Sequence, residues 1–195
     1  MTYDFGTPRL GDLKYKDLTG DGIIDERDQA PIGNGDLPRY YYGISGGFQY
    51  KDFELSFLFQ GVGKYSSIMN GIGVYETSYE GVFGSNHLKA WTQDRWNNDE
   101  EILYPALSTT TSTNHQASDF FLYDRSYLRL KNLEVSYSLP ERFKKVLHAK
   151  GLKIVLSGQN LFTIDHMKSD DFGPEGSYAD FPTYRMYSIG VKAQF

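Results

Sequence analysis

The chain has 195 residues, enough for one ordinary domain, with 16% aromatic residues, no cysteine and a net charge of −5. That acidic balance argues against a nucleic-acid surface, which needs clustered Lys and Arg, and the lack of cysteine excludes disulfides and Cys-ligated metal centres. No stretch approaches the ~18 consecutive apolar residues of a membrane-crossing helix, and MTYDFGTPRL has neither the basic start nor the apolar core of a signal peptide. A membrane β-barrel passes the same screens, because its strands show only alternating hydrophobicity.

In chain order, the first feature is DLTGDGIIDERD. Asp17, Thr19, Asp21, Asp25 and Asp28 stand at positions 1, 3, 5, 9 and 12 of a loop with Gly22 at position 6 and the Ile23 carbonyl at position 7. This is the oxygen-ligand spacing of an EF-hand calcium loop. Thr at position 3 and Asp, not Glu, at position 12 weaken the ligand set. The spacing predicts a weak structural Ca²⁺ site, with affinity on the order of 10⁻⁴ to 10⁻³ M. The competing reading is a polar, Gly-rich turn whose acids are solvated.

Period-two alternation, the mark of strands with one apolar face, then dominates. It predicts about five strands, near 39–50, 53–61, 126–139, 152–163 and 183–195. Tyr40, Tyr42, Ile44 and Phe48 share one face of the first, and Phe53, Leu55, Phe57 and Phe59 one face of the second. Leu133, Val135 and Tyr137, then Leu152, Ile154 and Leu156, then Tyr187, Ile189, Val191, Ala193 and Phe195 continue the pattern. Each segment is close to the ~9–11 residues that a tilted strand needs to cross a bilayer. Tight turns at Lys51 and across 140–151 alternate with long connections at 62–125 and 163–182. That asymmetry favours strands of a transmembrane barrel over a soluble sandwich, which has no use for so long a loop. Five strands cannot close a bacterial barrel, so the reading is a piece of a larger one.

Candidate contact residues sit in the 62–125 loop. Tyr75, Tyr79, Trp91 and Trp96 lie among Gly, Ser and Asn, a mixture able to stack on a sugar ring and hydrogen-bond its hydroxyls. Packing within the loop is the bland alternative, and for the tryptophans the stronger one. Catalysis finds little support: His87, His115, His148 and His166 are scattered, Asp170, Asp171 and Glu175 sit in an acidic loop, and no phosphate-loop motif occurs. The basic run RFKKVLHAK reads as a solvated turn. An enzyme is not expected.

Four ordered motifs carry a family resemblance. GDLKYKDLTGDGIIDERDQAPIGNGDLPRYYYGISGGFQYKDFELSFLFQGVG resembles the late segment of SusC/RagA-type TonB-dependent transporters of the Bacteroidetes. AWTQDRWNNDEEILYPALS, then FLYDRSYLRLKNLEVSYSLP, then GLKIVLSGQNLFT follow in the same order. The resemblance implies an all-β fold: C-terminal antiparallel strands of a larger outer-membrane barrel, whose N-terminal part would contact TonB. It implies residues 1–38 as an extracellular loop carrying the calcium-like motif, 39–195 as barrel, and 1–38, 62–125 and 163–182 facing outward. It further implies import of oligosaccharides or peptides, a SusD-like lipoprotein as partner, lipid around the barrel, and Phe195 as a terminal aromatic assembly signal. The alternative from another class is a soluble, calcium-stabilised β-sandwich that binds carbohydrate.

Overall fold

The computed structural model describes residues 1–76, 82–176 and 180–195. They form two compact units, one of residues 1–35, 66–124 and 167–181, the other of residues 36–65, 125–166 and 182–195. The first therefore includes the N-terminal 35 residues together with most of the long loop.

The sheet unit is built as the alternation predicts. β3 (Tyr40–Tyr50), β4 (Phe53–Gly63), β6 (Leu122–Ser138), β7 (Gly151–Gln159) and β9 (Met186–Gln194) pair antiparallel in that order. Register decides what the sheet presents, because a one-residue slip turns every side chain over. Phe48 pairs Leu55, Leu55 pairs Val135, Val135 pairs Leu156 and Leu156 pairs Ile189. The row Tyr50, Phe53, Tyr137, Ile154 and Val191 lies beside it. The apolar faces of all five strands thus fall on one side. Leu130 and Leu152 on this face are buried, but most of that side is open: Phe48 is 61% exposed, Leu156 53% and Ile189 76%. A soluble sandwich would bury such residues against a second sheet, and these are not buried.

The other side is mainly polar, though Tyr41, Leu58, Val62, Tyr127 and Val155 also lie on it. Ser56, Glu134, Ser157 and Ser188 form one row. Lys153 meets Glu54 at 2.7 Å and Lys192 meets Glu134 at 2.9 Å, and Glu54 also accepts from the Ser136 hydroxyl at 3.1 Å.

Two local devices keep the register. Between Phe59, paired with Leu130, and Leu58, paired with Asn132, Lys131 is an extra residue, a β-bulge. The bulge shifts parity by one, so the apolar face passes from Leu133 to Leu130 and Leu128. Gly61 is the second device. The Tyr42 ring lies across it, its hydroxyl donating to the Tyr127 carbonyl at 2.9 Å, and a Cβ there would run into both. A small residue is required at this crossing.

β6 starts at Leu122, earlier than the predicted 126, and the strand predicted over 152–163 ends at Gln159, with a separate short β8 (Thr163–His166) also pairing β6. The basic run after Pro140 forms a short helix, α2 (Glu141–Val146). β3 and β9 are the outer strands of this order, each with one edge not hydrogen-bonded to another named strand among the described residues.

The loop unit has its own core of Met69, Val74, Ala90, Tyr104, Phe121, Tyr123 and Phe172. Its regular elements are short: β1 (Thr2–Tyr3) parallel to β2 (Ile23–Ile24), β5 (Ser66–Ile68) against residues 122–124, and helix α1 (Gln93–Asn97), capped by the Thr92 hydroxyl.

Gly61→Val should cost roughly 1–3 kcal/mol through overpacking, whereas Gly190→Ala, whose added Cβ meets nothing within 4 Å, should be nearly neutral. Denaturant midpoints in detergent measure both; equal midpoints would contradict this strand crossing.

Candidate functional site

Short elements and a small apolar core do not fix a long loop by themselves. In the loop unit, buried polar groups do the joining. Asn114 is fully buried and uses its whole amide: Oδ1 accepts the Leu13 N–H at 2.7 Å, and Nδ2 donates to Asp12 Oδ1 at 2.9 Å and to the Ala106 carbonyl at 3.2 Å. Asp12, its side chain 1% exposed, also holds Arg9 at 3.2 Å. Burial by itself would raise the Asp12 carboxyl, but hydrogen bonds from Arg9 and Asn114 outweigh it and lower it.

A second cluster centres on Glu76, whose side chain is 1% exposed. Its Oε2 accepts from the Tyr104 hydroxyl at 2.8 Å and His115 Nε2 at 2.9 Å, and its Oε1 accepts the Ser108 N–H at 3.0 Å. The Ser112 N–H donates to His115 Nδ1 at 3.2 Å, so the ring hydrogen sits on Nε2, facing the carboxylate. Burial opposes the charge on Glu76, yet the bonds from His115 and Tyr104 win and hold its pKa at about 2. Tyr104 is shifted upward, by burial first and then by Glu76.

His87 lies beside Tyr104, ring centroids 4.2 Å apart. Its Nδ1 accepts the Gly84 N–H at 2.8 Å and its Nε2 meets the Val74 carbonyl at 3.2 Å, the pattern of a neutral ring, and burial lowers its pKa. Both histidines therefore serve as structural pins. No local pattern in the sequence marks these clusters, since their partners lie 39 or 101 residues apart.

The four aromatic contact candidates separate. Trp91 packs over Gly11, where any Cβ would collide with its ring. Tyr75 packs tilted against His115 and edge-on to Phe121, ring centroids 4.9 Å apart in each pair. Trp96 stands free on α1, 64% exposed. Tyr79 lies outside the described residues.

The acidic loop is ordered by its own backbone. Gly20 and Gly22 hold φ of 78° and 82°, where a side chain is strained. Asp17 accepts the N–H groups of Gly20 and Gly22 at 2.6 and 2.9 Å. Asp28 accepts those of Leu18, Thr19 and Asp25 at 2.7, 3.0 and 3.0 Å, which draw its pKa down to about 2. Positive charge comes from Arg27, which bridges Asp21 and Asp25 at 2.7 Å each. Thr19 bonds to Asp17, and Ile23 donates its N–H to Asp21. Among the described residues, no three His, Cys, Asp or Glu side chains as arranged form a group able to hold a metal ion.

No family model matches the chain. TonB-dependent receptor P3 of Formosa agariphila is 28% identical over 202 residues, taking in 93% of this chain and 19% of the receptor. TonB-dependent receptor SusC of Bacteroides thetaiotaomicron is 25% identical over 193 residues, taking in 93% of this chain and 17% of SusC. Among solved structures, the RagAB peptide importer in its open-open state matches with a TM-score of 0.63 and 26% identity, over 88% of this chain and 19% of that one. In sequence and in fold, the chain is similar to SusC/RagA-type TonB-dependent receptors, and it spans about a fifth of the length of these relatives.

Because Glu76 titrates lower folded than its ordinary 4.5, it contributes stability above pH 4.5 that is lost as pH falls toward 2. Glu76→Gln should cost roughly 1–3 kcal/mol at neutral pH, by leaving buried partners imperfectly paired, and should flatten the acid limb of the stability profile. Thermal midpoints of parent and variant from pH 7 to pH 2 test this; parallel curves would remove Glu76 from the role.

Proposed function

We propose that this chain forms part of the barrel wall and outer loops of an outer-membrane, TonB-dependent nutrient transporter. The observation that carries the reading is the register: five strands present one uninterrupted apolar face and one mainly polar face carrying ion pairs. Lipid suits the first and a water-filled lumen the second, and only closed barrels satisfy all backbone groups of a sheet inside a bilayer. The edges of β3 and β9 that pair with no other named strand among the described residues are where further strands of such a barrel would join.

In this reading, the loop unit faces the extracellular side, the turn between β3 and β4 faces the periplasm, and the role is transport and not catalysis. Similarity to SusC and to the RagAB importer supports an oligosaccharide or a peptide as cargo, a SusD-like lipoprotein over the outer face, and TonB as the energy-coupling partner of the whole protein.

The acidic loop keeps a place in this reading. Its left-handed glycines and its short ring of acids suit a Ca²⁺ ligand loop, on the condition that the ion displaces Arg27 from Asp21 and Asp25. Millimolar extracellular Ca²⁺ would favour that exchange at a weak site.

Fractionated membranes of the source organism, blotted with antiserum against residues 62–125, should give an outer-membrane band far heavier than 22.3 kDa. A 22.3 kDa band in a soluble or secreted fraction would sink the transporter reading. Calcium has a separate test. Ca²⁺ should raise the melting temperature of the parent and not that of an Asp21→Ala, Asp25→Ala double variant; an equal rise in both places the ion elsewhere.

A further inference from the structure

A cleft of about 330 Å³ opens in the loop unit. Its described lining is largely apolar, with Val74, Phe121, Tyr123 and Phe172 among the walls. The three aromatic rings belong to the unit's own core, and two of them touch: Tyr123 and Phe172 stand 5.8 Å apart. The cleft is therefore walled by side chains already held in place.

Two charged groups also line it, and each is fixed by bonds that leave one position over. Lys168 Nζ donates to the carbonyls of Asp119 and Phe120 at 3.0 and 2.9 Å, and sits 5.7 Å from the centre of the Tyr123 ring. An ammonium has three N–H donors, so one remains. Asp171 Oδ2 accepts the Ser85 N–H at 2.7 Å and the Ser169 hydroxyl at 3.0 Å, which leaves Oδ1. The lining thus carries one further donor and one further acceptor beside an apolar wall.

That combination selects among ligands. A peptide unit supplies one carbonyl and one N–H next to a side chain that can be wholly apolar. A sugar ring carries hydroxyls around its rim, and against Val74, Phe121 and Phe172 several of them would lose water without a replacement partner. Burying an apolar side chain there carries no such cost.

We propose that this cleft binds an apolar side chain of an extended peptide, with Lys168 donating to a main-chain carbonyl and Asp171 accepting a main-chain N–H. The assignment rests on the import reading only for the fate of the bound peptide; the binding step is a property of the loop unit.

The test is an NMR titration of the ¹⁵N-labelled 195-residue chain in detergent micelles. The probes are N-acetyl-Ala-Phe-Ala-amide, its Ser analogue and maltotriose. The Phe peptide should shift amides at 120–123 and 168–172 and bind at least tenfold more tightly than either other probe. Lys168→Met should weaken it about tenfold, and Lys168→Arg should keep most of the affinity. Equal binding of the Phe and Ser peptides, tighter binding of maltotriose, or no response to any probe would overturn the proposal. So would unchanged affinity in a folded Lys168→Met variant. Should that variant fail to fold, the Lys168→Arg chain and the Phe-over-Ser preference decide the matter. Membrane fractionation is independent of all these outcomes, so transport and peptide binding can fail separately.

Discussion

A sheet one layer thick buries almost nothing by itself, so everything about this one depends on side-chain parity holding across five strands. Each strand alone offers only a weak alternation of apolar and polar residues. Cross-strand pairing converts those alternations into two continuous surfaces of opposite character, the basic unit of sheet stability being the facing pair. Leu55, Val135, Leu156 and Ile189 fall in one row because no slip intervenes. Where the count changes, at Lys131, the bulge restores the apolar face instead of breaking it. The Tyr42 ring over Gly61 clasps the same region from the neighbouring strand.

The loop unit follows a different logic. With two-residue strands and a five-residue helix, it cannot satisfy its backbone through ladders. Side chains substitute, and the ones chosen have several hydrogen-bonding positions: Asn114, Asp12, Glu76 and His115. Buried polar networks of this kind specify one arrangement, since a shifted segment would strand its donors and acceptors. The price is sensitivity to protonation, concentrated at one carboxylate. Arg27 in the acidic loop is a small instance of the same habit, a charge held locally by its neighbours.

How much of this was legible depended on range. The strands were readable because period two is written in adjacent residues, and all five segments appear near their expected places. The bulge was half visible: Leu128 and Leu130 alternate out of phase with Leu133 and Val135, which is itself the signature of one inserted residue. The polar pins were not visible, because Leu13 and Asn114 meet across 101 residues with no periodic trace. The calcium-like spacing matched an oxygen pattern but passed over Arg27, whose position amid four acids was the available hint. Of the aromatic candidates, only the surroundings separate Trp91, packed on a glycine, from Trp96, left in solvent.

That contrast has a spectroscopic use. The chain contains two tryptophans, both within residues 66–124 of the loop unit, and the sheet unit carries tyrosine and phenylalanine but no tryptophan. Emission excited at the red edge of the absorption band therefore reports on the loop unit alone, with Trp96 open to a soluble quencher and Trp91 partly shielded. Far-ultraviolet dichroism is dominated by the strands. The two signals provide independent clocks for the melting of each unit, with no label introduced.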